Sequence, residues 1–169
     1  RITLNQDGSI QLSMGATEIG QGADTVFTQM AAETTGISVD RVYINSTQDT
    51  DVTPFDTGAY ASRQTYVSGM ACKKCALEFR QKVLEYAAYM LNHDVTDLSK
   101  TVYADLVKEA AGKVRQVLGL HAEEKITWEM LDIADSQVVV NGGDPVLFDV
   151  AVVADTAFYS LDRSIHITA

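Results

Sequence analysis

The chain has 169 residues, 46% of them apolar and 21% charged, with a formal net charge of −10 at pH 7, which is the composition of one ordinary globular domain. Such an acidic balance excludes nucleic acid and anionic membrane surfaces as general partners, because both recruit basic patches. No stretch approaches the roughly 18 consecutive apolar residues of a membrane span, and an anionic ligand would have to be held locally, by backbone N–H groups or a single arginine.

The first residues after Arg1 already read as a strand, with no charged leader ahead of them, so a piece of a longer protein is expected. Ile2 and Leu4, then Ile10, Leu12 and Met14, alternate on either side of Gln6-Asp7-Gly8-Ser9 and predict a β-hairpin. A glycine-rich stretch from Gly15 to Gly22 follows. Val26, Phe27, Met30 and Ala31 then recur at helical spacing up to Gly36, a natural helix end. Val42 and Ile44 predict a third strand within residues 40–48. Residues 49–63, with Pro54 and Gly58, show no sustained periodicity and form a long loop of the kind that is commonly functional.

Residues 64–92 predict the longest helix, with Tyr66, Met70, Leu77, Val83, Leu84, Ala87, Ala88 and Leu91 on one buried face. Cys72 and Cys75 lie within it, where a disulfide is geometrically awkward and a second zinc pair is missing; they read as small helix residues in a reducing cytoplasm. Beyond Asn92, residues 102–119 predict a helix and 121–135 stay open between helix and connector. Residues 136–145 predict a strand running into a Gly142-Gly143 turn. Residues 146–162 read as a helix by length and alanine content, with a strand as the alternative, and 163–169 as a short edge strand. This order implies an α+β fold, two-layer, with a small mixed sheet and helices packed on one face, in a single domain over 1–169.

The chemistry concentrates where a loop of small residues opens a helix, which happens twice: GQGADT before the helix at Ala23, and DTGAYASRQT before the long helix. A helix N-terminus leaves its first N–H groups unpaired and carries partial positive charge, so two such ends side by side would bind an extended anionic or polar ligand. Neither loop spells a known phosphate fingerprint. Asp49, Asp51 and Asp56 lack the glycine and glutamate of a calcium loop and read as a solvated acidic loop. His93, His121 and His166 are not spaced to share a metal, and Glu18 reads as a capping or loop carboxylate. No catalytic and no metal-ligating residue is assigned.

GATEIGQGADTVFTQMAAETTGI followed by DTDVTPFDTGAYASRQTYVSGMA resembles the molybdenum-binding large subunit of the xanthine dehydrogenase and aldehyde oxidase family, the molybdenum hydroxylases. It is most similar to the bacterial xanthine and purine dehydrogenase branch, where Ser-Arg-Gln-Thr is spelled as here. The resemblance spans about Gly15 to Ala71 and thins beyond the long helix, although AFYSLDRSIHITA is similar to the family's closing segment of this subdomain. It implies that Gly20, Gln21 and Gly22 lie on the pterin side of a molybdopterin cofactor, in bacteria of this branch usually the cytosine dinucleotide form. It further implies that Ala59, Tyr60, Ala61, Ser62, Arg63 and Gln64 surround the phosphates, with Arg63 as the local cation.

The resemblance also implies the setting. The complete enzyme would hydroxylate an electron-poor ring carbon of a purine-like substrate with water as oxygen source, passing electrons through 2Fe-2S clusters to FAD or another acceptor on other domains or subunits. The family's catalytic glutamate, in a GEP-like stretch, is absent from this chain, and Glu18 does not occupy its position. This fragment alone would therefore be inactive. From the residues without the resemblance, a non-redox nucleotide or phosphate-binding module using two helix ends remains open.

Overall fold

The structure is a computed structural model that describes residues 1–45, 47, 49–93, 102–159 and 166–167. It divides into two compact units, one of Arg1–Asn5, Ser9–Arg80 and Ile165–Ala169, the other of Gln6–Gly8 and Gln81–Ser164. Among the described residues no helix is long and apolar enough to cross a membrane.

The first unit is built on a four-stranded sheet. Strands β1 (Ile2–Leu4) and β2 (Ile10–Ser13) form the expected antiparallel hairpin, with Ile2 opposite Leu12 and Leu4 opposite Ile10. Strand β3 (Val42–Asn45) pairs parallel to β2, placing Ile10 beside Val42 and Leu12 beside Ile44. A parallel neighbour requires a crossover, and helix α1 (Ala23–Thr35) supplies it. The last strand, β7 (His166–Ile167), lies antiparallel on β1 and completes the order β3-β2-β1-β7. Ile2, Ile10 and Leu12 are fully buried, and α1 adds Phe27 and Ala31 to the core. The helix ends where Gly36 adopts a left-handed conformation and donates its N–H to Ala32 O at 2.9 Å.

Helix α2 (Gly69–Asn92) begins after a single π-helical turn, Gln64–Ser68. Here the expected buried face is corrected. Tyr66 is 78% exposed, and Met70 and Leu77 are also exposed, whereas Cys72, Cys75, Ala76 and Phe79 are buried. The cause is the close approach of α1. A Cβ on Gly69 would stand 3.1 Å from Met30 Sδ, and Cys72 Sγ lies 3.9 Å from Phe27 O, so over Gly69–Ala76 the face toward α1 takes the small side chains. Val83, Leu84, Ala87, Ala88 and Leu91, on the part of α2 that belongs to the second unit, are buried as expected. The cysteines are free and buried, and burial pushes the Cys72 thiol up to about 11, so it stays a protonated packing residue.

The second unit holds a separate antiparallel meander of β4 (Leu131–Ala134), β5 (Gln137–Val140) and β6 (Val146–Asp149). Asp135 and Ser136 both have positive φ and close the two-residue β4-β5 turn. Helix α3 (Ala104–Leu118) buries Val107, Ala110 and Val114, a single stripe at 3.6-residue spacing, and stops at Gly119. Helix α4 (Val150–Tyr159) buries Val150, Val152, Val153, Ala154 and Ala157. The α+β class therefore holds, with the strands shared between two sheets.

Two stretches that the sequence left open resolve as follows. Within 121–135 a connector and a short 3-10 turn (Trp128–Met130) lead into β4, and 146–159 splits into strand β6 followed by α4. In both, tertiary pairing to β5 decides what the short apolar run becomes. The parts of the expected elements at 46, 48, 160–165 and 168–169 lie outside the described residues.

Two glycines give opposite expectations. A Cβ at Gly15 would fall 1.9 Å from Pro54 O, so Gly15→Ala forces loop 49–63 off the sheet and should destabilise by about 1–3 kcal/mol. Gly112, inside α3, faces open space, and Gly112→Ala should stabilise by about 0.5–1 kcal/mol. Urea unfolding midpoints check both: a lower midpoint for the first variant and a higher one for the second.

Candidate functional site

The first glycine loop is folded around Glu18. Its Oε1 accepts from the N–H groups of Gly20 at 2.6 Å and Gly22 at 3.2 Å, and its Oε2 from Asp24 N–H at 3.1 Å. The N-terminus of α1 thus already holds a carboxylate from its own chain, and the expectation that this end is open to an anionic ligand is corrected. The Asp24 N–H, followed by those of Gly20 and Gly22, holds the Glu18 carboxyl below its ordinary pKa. This is the capping role expected of Glu18. Gly20 and Gly22 have positive φ, and nothing lies within 4 Å of where their side chains would project.

The second loop is organised by Asp56, a residue read from the sequence only as part of a solvated acidic loop. Its Oδ1 accepts from Gly58 N–H at 3.0 Å and from Arg63 Nη1 at 2.5 Å, and its Oδ2 from the Ser68 hydroxyl at 2.9 Å. Partial burial pushes Asp56 upward, but Gly58, Ser68 and Arg63 together outweigh it and leave its pKa below the ordinary value. For both carboxylates the sign is the same: the ties are at full strength above the ordinary carboxylate range and are lost as pH falls through the depressed values.

Arg63 is consequently not a bare cation. Besides Asp56, its Nη1 donates to Gly58 O at 3.3 Å, and its guanidinium carbon lies 5.5 Å from the Tyr60 ring centroid. The loop's open donors are on the backbone. Among the described residues, no acceptor in the chain meets the N–H groups of Ala59, Tyr60, Ala61 or Ser62. Ala61 and Ser62 adopt φ of 48° and 59°, and Arg63 follows at φ −69°, ψ −25°. Arg63 N–H donates to Tyr60 O at 3.0 Å and closes a tight turn around the two positive-φ residues, so the N–H groups left open are those ahead of Arg63.

The two loops meet through a pair of glutamines. Gln21 Nε2 donates to Gln64 Oε1 at 2.5 Å and to Thr17 O at 2.9 Å, and Gln64 Nε2 donates to the same Thr17 carbonyl at 2.7 Å. Gln21 Oε1 accepts from Ile19 N–H at 2.7 Å. Both donors of Gln21 are therefore used and one acceptor position remains, while Gln64 keeps one donor and one acceptor position. Ile19, Phe55, Tyr60 and Tyr66 project outward from the same two loops, at 69%, 79%, 60% and 78% exposure. Beneath the second loop a cavity of about 220 Å³ reaches from Asp56 and Arg63 to Cys72 and Cys75.

The structure thus brings together Gly20, Gln21 and Gly22 with Gln64, and sets Ala59 to Arg63 as one open turn on the adjoining loop. Sequence reasoning missed Asp56 and the Thr17 carbonyl. Asp56 carried a usable signal, since an aspartate two residues before a glycine is the spacing of a side-chain-closed turn; a shared backbone carbonyl leaves none. Among the described residues no group of His, Cys, Asp and Glu is placed to hold a metal ion.

Residues 1–166 match the family described as the molybdopterin cofactor-binding domain. The chain is 56% identical, over 99 residues, to the xanthine dehydrogenase molybdenum-binding subunit of Escherichia coli O157:H7, a match covering 59% of this chain and 13% of that protein. It is 34% identical over 97 residues to the carbon monoxide dehydrogenase large chain of Afipia carboxidovorans, covering 57% of this chain and 12% of that one. Its fold is similar to quinoline 2-oxidoreductase from Pseudomonas putida 86, with a TM-score of 0.65 at 20% identity, covering 99% of this chain and 18% of that chain. The chain accordingly spans only a small part of the length of its relatives. It belongs to the molybdopterin cofactor-binding domain family.

Proposed function

We propose that this chain is part of the cofactor cradle of a molybdenum hydroxylase of the xanthine or purine dehydrogenase kind. Gly20, Gln21 and Gly22 take the pterin side, and Ala59, Tyr60, Ala61, Ser62, Arg63 and Gln64 surround the phosphates. The observation that carries this reading is the run of N–H groups from Ala59 to Ser62 that meet no acceptor among the described residues, beside the Gln21–Gln64 bridge. The donor set fits the group. Backbone N–H groups without an internal partner can donate to a phosphate, and the remaining acceptor on Gln21 and donor on Gln64 suit the edge of a polar heterocycle. The space beside Gly20, Gly22 and Gly58 lets a ligand approach the main chain closely.

When bound, the molybdenum cofactor supplies the two-electron redox chemistry by which a purine-like substrate is hydroxylated at an electron-poor ring carbon with water as oxygen source. This chain's residues bind and orient it. The bridged glutamines fix the spacing of the loops, and the exposed aromatic and aliphatic side chains around them exclude water where the rest of the subunit closes over the cofactor. The catalytic glutamate lies outside this chain, as do the 2Fe-2S and FAD domains or subunits, and the cofactor is the cytosine dinucleotide form in a cytoplasmic enzyme. The family match runs through both compact units, which supports treating 1–169 as one functional subdomain. It also disfavours a non-redox nucleotide or phosphate module.

Two outcomes follow. The purified 169 residues should show no oxidation of hypoxanthine or xanthine; appreciable turnover would refute the assignment of the catalytic base elsewhere. In the full-length subunit, Gln21→Ala and Ser62→Ala should lower molybdenum and pterin content several-fold, measured by elemental analysis and by fluorescence of the oxidised pterin. Content equal to wild type in Gln21→Ala would refute the cradle; in Ser62→Ala, which keeps the backbone N–H, it would refute a contact by the hydroxyl.

A further inference from the structure

Both loops are held by a carboxylate that faces into the loop rather than toward a ligand. Glu18 gathers the N–H groups of Gly20, Gly22 and Asp24, and Asp56 gathers Gly58 N–H, the Arg63 guanidinium and the Ser68 hydroxyl. An ionised carboxylate only accepts, and its bonds to N–H donors are charge-assisted and short, so each acts as a fixed pin under a loop with little else to pack. In the first loop the pinned arch between Gly20 and Gly22 carries Gln21, whose side chain turns to Gln64. In the second, the pin spans Gly58 to Ser68 and frames the open turn at Ala59 to Ser62.

We propose that Glu18 and Asp56 are positioning residues of the cradle: Glu18 aims Gln21 and closes the α1 N-terminus with an internal anion, and Asp56 fixes the turn that carries the open N–H groups of residues 59–62. The inference rests on the cofactor reading above. It has a specific consequence for anion placement: with the α1 end already filled, the ligand's phosphates are confined to the second loop. It also assigns Arg63 a structural partner in Asp56, so the phosphate meets backbone dipoles first and the guanidinium second.

The test uses the full-length polypeptide that contains this chain, with Glu18→Gln and Asp56→Asn. Each carboxamide keeps the shape of the side chain but removes its charge and one acceptor oxygen, which weakens every bond it makes to the loop. In the cofactor-free protein, backbone amide exchange should become at least about tenfold faster at Gly20, Gly22 and Asp24 in the first variant and at Gly58 in the second, while the 72–79 core segment keeps its protection. Molybdenum content should fall several-fold in both. Unchanged exchange at these amides overturns the inference, as does faster exchange with wild-type molybdenum content. Loss of protection in the core as well would show general destabilisation and also overturns it. If the wild-type protein itself holds no molybdenum, the cofactor reading fails, and the exchange measurement alone decides whether the carboxylates position the loops.

Discussion

The site depends on one three-way contact, in which the side-chain amides of Gln21 and Gln64 bond each other and share the Thr17 carbonyl. Gln21 and Gln64 are separated by 43 positions, and each stands in a loop that lacks a periodic apolar pattern of its own. Ordering each backbone residue of these loops costs about 1–2 kcal/mol, which the carboxylate inside each loop and the glutamine bridge between them help to offset. The bridge makes the two loops one surface, and the contact of Pro54 O against Gly15 seats that surface on the strand-helix connection of the first unit.

Electrostatically the arrangement is economical for an acidic chain. An anion could be met by lysines and arginines, but the net charge is −10 and the nearby Arg63 is already paired with Asp56. Oriented N–H groups offer an alternative that adds no formal charge: they are fixed in advance and need no reorganisation when a ligand arrives. The same logic explains why two acidic side chains can sit inside a proposed anion cradle. Glu18 and Asp56 are each neutralised locally by donors of their own loop, so their charge organises backbone rather than facing the ligand.

Much of this was legible in the residues. Strict alternation in Ile2, Leu4, Ile10 and Leu12 fixes the hairpin, and Gly36 and Gly119 end their helices through left-handed caps. The paired loop-helix junctions also stood out, and the structure joins them through Gln21 and Gln64. What stayed hidden was set by contacts distant in sequence. The buried face of α2 follows the closeness of α1, which favours Cys72, Cys75 and Ala76 over Tyr66, Met70 and Leu77. The runs 131–134 and 146–149 became strands because β5 pairs with both, and four apolar-rich residues carry no period that distinguishes strand from helix. In the site, the roles of Glu18 and Asp56 could be guessed from neighbouring glycines, but the occupancy of the α1 end and the pairing of Arg63 needed atomic positions.

The most direct test of the cradle is amide hydrogen exchange across residues 58–64 of the full-length subunit, compared between the cofactor-loaded and cofactor-stripped protein. The account predicts strong protection of Ala59 to Ser62 on loading, since their N–H groups have no acceptor among the described residues and gain one from the phosphates. Equal exchange in the two states, with cofactor demonstrably bound, would contradict it.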